Sequence, residues 1–197
     1  MEIKKYGNFN PTGKNDTKHQ IILVNTSRGI YEYLQSLKYR YNGKFTRIPN
    51  YIITRSGDVL QLMDNLEYSD YFYDTNMNKD SVVISFENLG WIQKEPLTDY
   101  YVNWIGDIYK GEVYEKKWRD FYFWQPYTSK QVDSCAELCN MLFGELSIKN
   151  NIVGHNTKIN YNQKYEGVLT FSNIEKDRTD VSPAFNFEQL IKKIENE

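Results

Sequence analysis

Apolar and polar positions along the chain follow two periods. Residues 21–24 form a short apolar run between polar neighbours, the pattern of a strand buried on both faces. After Asn25, Thr26 and Ser27, the residues Ile30, Leu34, Leu37 and Tyr41 recur at three- and four-residue spacing. That spacing predicts a helix over 28–41, ended by Asn42-Gly43. Residues 51–54 and 59–63 read as a hairpin closed by Ser56, Gly57 and Asp58. Residues 81–86 form a further buried strand. Thr128 and Gln131 have capping-box spacing, and the helix behind them carries Val132, Cys135, Cys139, Leu142, Phe143 and Leu146 on one stripe. A last strand is expected over 152–155, a long polar loop over 156–179 and a final helix over 186–194. Residues 91–127 hold Trp91, Trp104, Trp118 and Trp124, with a helix expected around 98–110. This order predicts an α/β fold: a mixed central β-sheet flanked by helices.

Composition narrows the chemistry. A chain of 197 residues fits one domain, with residues 1–18 as a polar N-terminal arm and 19–197 as its body. The net charge of -2 gives no general attraction to nucleic acid or anionic membrane. No apolar run nears the ~20 residues of a membrane span. The opening MEIKKYGNFN lacks the apolar stretch of a secretory signal, so a cytoplasmic or virion-associated setting is expected. The two cysteines, Cys135 and Cys139, lie four apart on a predicted helix and read as reduced core residues. Cys-rich zinc patterns are excluded, and His19 and His155 are the only histidines.

In helix-covered sheets, sites lie at strand ends. Polar groups cluster there: Asn25 after IILV, Ser85 and Glu87 around Phe86, and His155 after IVG, while Asp180 arrives from the long loop behind Arg178. One His and one Asp, taken alone, read more simply as satisfied structural groups than as metal ligands. Lys116, Lys117 and Arg119 read as a solvated helix face.

Six segments in order carry a further signal: IILVNTS (21–27), YIITRSGDVLQL (51–62), SVVISFEN (81–88), PYTSKQ (126–131), IVGHNTKI (152–159) and RTDVSPAF (178–185). Together they resemble the type 2 N-acetylmuramoyl-L-alanine amidases, the zinc amidase fold shared with certain phage lysozymes and the peptidoglycan recognition proteins. That family pairs an apolar strand ending in His with a FIIxRDGxVxQ hairpin, an IGIE strand, a Thr-x-x-Gln helix start, VGH and KTDPGPAF.

The resemblance implies roles residue by residue. The metal positions fall on Asn25, where the family has His, and on His155 and Asp180. Arg178 stands for the basic residue that steadies the transition state. The acidic residue of the IGIE strand falls on Ser85, with Glu87 two positions on as a substitute base. The Tyr of the phage-lysozyme members falls on Pro49 and Asn50. Segment 91–127 is longer than the family core needs and is expected to be an insertion. Its aromatics either pack inward or meet a peptidoglycan fragment or a protein partner.

A catalytic zinc needs three protein ligands and an open position. An amide is a weak zinc ligand beside imidazole. The expectation is therefore a degenerate amidase with no zinc bound, serving as a peptidoglycan-binding or structural module, in a phage setting by analogy. The alternative is an active zinc amidase with zinc on His155, Asp180 and Asn25 or a water, Glu87 as base and Arg178 at the oxyanion. Without metal, His155, Asp180 and Asn25 are expected to share hydrogen bonds in one cleft.

Overall fold

The computed structural model describes residues 2–160 and 165–195. In chain order its strands begin with β1 (Ile3–Lys5), β2 (Gly13–Lys14) and β3 (Gln20–Asn25), followed by helix α1 (Ile30–Tyr39). Then come β4 (Tyr51–Ile53), β5 (Val59–Gln61), β6 (Glu67–Tyr68), α2 (Thr75–Asp80) and β7 (Ser81–Phe86). Five short strands follow: β8 (Trp91–Lys94), β9 (Tyr101–Val102), β10 (Ile108–Tyr109), β11 (Tyr114–Trp118) and β12 (Phe121–Trp124). The chain closes with α3 (Ser129–Leu146), β13 (Gly167–Thr170), α4 (Phe171–Ile174) and α5 (Phe187–Glu195).

The central sheet has six strands in the order β1-β5-β4-β7-β3-β13. Strands β4, β7, β3 and β13 run parallel, and β5 is antiparallel to β4. The mixed sheet expected from the sequence is thus present. Ile3–Lys5, within the polar lead-in, pairs with β5 at the sheet edge.

Alternation sorts the β3 side chains. Ile21 and Leu23 face a core cluster with Val132, Cys135, Cys139 and Leu142 of α3 and Leu190 and Ile194 of α5. Ile22 and Val24 face the other side, against Phe72, Val83, Leu169 and Phe171. Helix α1 covers a neighbouring patch through Tyr33 and Leu37, which meet Ile52, Leu62 and Met63. Each fully buried Val or Leu contributes about 1.5–3 kcal/mol. The capping box forms as expected: Gln131 N donates to Thr128 Oγ1 and Thr128 N to Gln131 Oε1, each at 3.1 Å.

Three expectations fail for local reasons. The helix around 98–110 is instead the hairpin β9–β10, with Val102 opposite Ile108. Asn103 Oδ1 accepts from the N–H groups of Ile105 and Asp107, and Gly106 takes φ +90°, so the turn chemistry overrides helix formation. The strand over 152–155 reduces to a single bridge between Ile152 and Val168. The sheet strand is β13, inside the expected polar loop, where Gly167–Thr170 is buried throughout. Finally, Lys116 and Lys117 lie on β11, not on a helix.

Candidate functional site

The parallel strands β3, β7 and β13 end at the same edge of the sheet, with Asn25 beside Phe86 and Leu23 beside Thr170. Asp180 returns to this edge because Ser172 N donates to its carbonyl at 2.7 Å, just beyond β13. Its side chain then meets β3: the backbone N–H of Asn25 donates to Asp180 Oδ2 at 3.3 Å. Burial raises the Asp180 pKa, opposed by the charge of Arg178 and by the Asn25 N–H.

The side chain of Asn25 is engaged in the core. Tyr127 donates its hydroxyl proton to Asn25 Oδ1 at 2.7 Å, and Ser182 N donates to the Tyr127 oxygen at 3.4 Å. Tyr127 packs edge-on against Phe86 and Phe185. Burial pushes its phenol pKa far above the usual tyrosine value, so it stays a neutral donor. Asn25 is 7% exposed.

His155 makes no direct hydrogen bond to this pair among the described residues. Its loop is anchored from α4, where Asn173 Nδ2 donates to the carbonyls of Gly154 and Thr157 at 3.1 and 2.7 Å. Its ring centre lies 4.4 Å from that of Trp118, and neither ring nitrogen has a hydrogen-bond partner among the described residues. Of the direct or water-bridged hydrogen bonds expected among His155, Asp180 and Asn25, the direct contact present among the described residues is that from Asn25 N to Asp180. Burial first, then the charges of Lys116 and Arg119, pull the His155 pKa down to about 4.

The remaining expected residues divide. Arg178 is half-buried, its guanidinium 4.6 Å from the Phe171 ring centre and its Nε 3.5 Å from Glu175 Oε2. Glu87 is a bridging group: Oε1 accepts from Ile30 N at 3.0 Å and Oε2 from Arg55 N at 2.8 Å. The carboxylate thus caps α1, whose N-cap Gly29 offers no side chain, and fixes the hairpin turn. Ser85 is fully buried, on the face opposite Asn25. Asn50 at the displaced Tyr position serves the fold, accepting from Val83 N and donating to the carbonyls of Asp64 and Glu67.

Two further residues were not singled out from sequence. Tyr33 of α1 and Tyr71 place their hydroxyls together beside Ser85, within reach of the Asp180 charge. Burial pushes the Tyr33 pKa up to about 12, partly offset by its polar neighbours Tyr71 and Ser85. Tyr33 falls on the buried stripe of α1 beside Leu37, where it reads as core, and Tyr71 lies in an irregular segment, so nothing in the sequence marks the pair as a polar contact.

The aromatic segment forms a five-stranded antiparallel sheet in the order β10-β9-β8-β12-β11. It leans against the strand-end edge. Trp104 Nε1 donates to Ser27 O at 2.6 Å, and Arg28 lies 5.0 Å from the same ring. Arg119 Nη2 donates to Ser172 O at 3.1 Å, which replaces the solvated role expected for this residue. Trp118 and Trp124 are buried, whereas Trp104 is 41% exposed.

Among the described residues, no group of three His, Cys, Asp or Glu is placed to hold a metal ion. The expected metal positions offer one imidazole, one carboxylate and one amide whose oxygen already accepts from Tyr127. This donor set does not fit the three-ligand zinc of a metallohydrolase.

The family model for N-acetylmuramoyl-L-alanine amidase matches residues 14–166. No curated protein matches the chain significantly. Among solved structures, the chain is similar to the amidase AmiD of E. coli bound to anhydro-N-acetylmuramic acid-L-Ala-D-gamma-Glu-L-Lys, with TM-score 0.58 and 16% identity. That match covers 92% of this chain and 59% of AmiD, so the chain spans less than two thirds of that relative. An endolysin amidase, LysCS of Clostridium intestinale, aligns with TM-score 0.56 and 10% identity over 98% of this chain and 95% of its own. The hydrolase AmiA of Staphylococcus aureus, in complex with its ligand, aligns with TM-score 0.56 and 11% identity over 98% and 82%. At these identities the likeness establishes the fold.

Proposed function

We propose, from the premise that the chain belongs to the N-acetylmuramoyl-L-alanine amidase family, that it holds peptidoglycan fragments without cutting them. The observation that carries this reading is the bonding of Asn25. Its backbone binds Asp180 and its side chain binds Tyr127. Two of the three expected metal positions are thereby committed to each other and to the core. A metal-activated water, the source of nucleophile in such hydrolases, then has no built position.

The strand-end edge keeps features suited to binding. Arg178 offers a cation, and Trp104 presents a ring held by Ser27 and Arg28 beside the end of β3. A ring fixed in this way suits stacking on a sugar face. AmiD is bound to a muramyl peptide in its solved structure, which supports the same ligand class here. The endolysin description of one fold neighbour supports a phage-associated setting.

The competing reading is a working zinc amidase, favoured by the unpartnered nitrogens of His155. Incubation with N-acetylmuramyl-L-Ala-D-γ-Glu-L-Lys, followed by mass spectrometry and calorimetry, separates the two. The binding reading expects saturable uptake with the fragment intact. Release of the tripeptide in the presence of zinc establishes turnover instead.

A further inference from the structure

Four buried side-chain polar atoms lack a hydrogen-bond partner among the described residues, and three of them belong to two residues that pack on one ring: Nδ1 and Nε2 of His155 and Nη1 of Arg119. Trp118 joins the two residues. Its ring centre lies 4.4 Å from that of His155 and 4.6 Å from the Arg119 guanidinium carbon. The other arm of Arg119 is fixed, since Nη2 donates to Ser172 O. Buried donors without partners are costly, and a cluster of them is rarely left unfilled.

We infer that this place is an oxyanion pocket, in which Arg119 Nη1 and the His155 ring hold the oxygens of a carboxylate or phosphate group beside Trp118. Its wall comes from the β11–β12 turn of the second sheet, so the pocket is built where that sheet meets the α4 edge.

Charge selects the ligand. A neutral imidazole has one N–H to donate, and arginine keeps its charge at any physiological pH. The free arm of Arg119 therefore favours an anion, through charge-assisted hydrogen bonds. Asp177 and Asp180 act on Arg119 in the opposite sense, which suits the pocket to a group of low charge. The inference does not depend on the glycopeptide reading, because any ligand bearing such a group would meet the same donors.

The test is an NMR titration of the full chain at constant pH and ionic strength, with sodium acetate and inorganic phosphate as probes and chloride as control. His19 and His155 are the only histidines, so the imidazole signals are readily assigned. The expected result is a saturable shift of the His155 and Trp118 signals with at least one oxyanion, while His19 stays unmoved. Acetate alone identifies a carboxylate site, and phosphate alone a phosphate site. Arg119→Gln should weaken the affinity at least about tenfold, with Arg119→Lys between the two. Absence of a saturable shift with either anion overturns the inference. So does a saturable response to zinc chloride in place of the anions, or an unchanged affinity in Arg119→Gln that still melts cooperatively.

Discussion

The backbone N–H of Asn25 reaches Oδ2 of Asp180 at 3.3 Å, across 155 residues of sequence. The bond closes the strand-end edge between β3 and the segment that follows α4. Tyr127 completes the arrangement from the opposite side of Asn25. Removing that hydroxyl should cost stability, since Asn25 Oδ1 and the Ser182 N–H would both lose their partner. Tyr127→Phe is expected to lower unfolding free energy by about 1–3 kcal/mol. Urea denaturation followed by fluorescence measures this, and a change within experimental error would remove Tyr127 from the account.

Cys135 and Cys139 are fully buried on α3, with their sulfurs 3.9 Å apart. Their mutual hydrogen bond and burial raise the Cys135 pKa, so little thiolate is present at neutral pH. Both should resist Ellman's reagent in the native protein and react within minutes in denaturant. Rapid native labelling would show that the helix faces the other way.

Lys18 gives the fold a pH signature. It is 2% exposed, its ammonium donates to the carbonyls of Glu67 and Lys79, and burial lowers its pKa to about 8. Between that value and the ordinary lysine pKa, the unfolded chain holds a proton that the folded chain has released. Stability contributed by this group therefore rises with pH across the window, by up to ~3 kcal/mol. Above pH 10 the buried tyrosines act in the opposite direction, because they ionise only on unfolding. Lys18→Met isolates the lysine term. The stability difference between wild type and variant should change between pH 8 and 10, and a pH-independent difference would contradict the assignment.

Trp104 links the second sheet to ligand uptake. Trp104→Ala should weaken binding of N-acetylmuramyl-L-Ala-D-γ-Glu-L-Lys by about tenfold, within the range for loss of a stacked aromatic. The melting temperature should move little, since the ring is partly exposed. Equal affinity of the two proteins would place the sugar elsewhere.

Much of this was legible in the residues themselves. The buried runs of β3 and β7, the hairpin and the Thr128 cap each rest on local chemistry, and each appears where its pattern lies. The strand β13 was hidden because four residues, GVLT, are too short to show a period. Strands β9 and β10 were hidden because two-residue strands owe their pairing to turns such as that at Asn103. At the site, order along the chain pointed to Asn25, His155 and Asp180. It could not reveal that Glu87 caps α1, or that Tyr33 and Tyr71 meet beside Ser85, because those contacts depend on how helix and loop pack.

If Asn25 has ended zinc binding at this edge of the sheet, zinc content shows it, measured by elemental analysis after dialysis against micromolar zinc for wild type and Asn25→His side by side. Far less than one zinc per chain is expected in the wild type, with a marked gain in Asn25→His, where the introduced imidazole would join His155 and Asp180. One zinc per wild-type chain would establish instead that the site still holds metal with Asn25 in place.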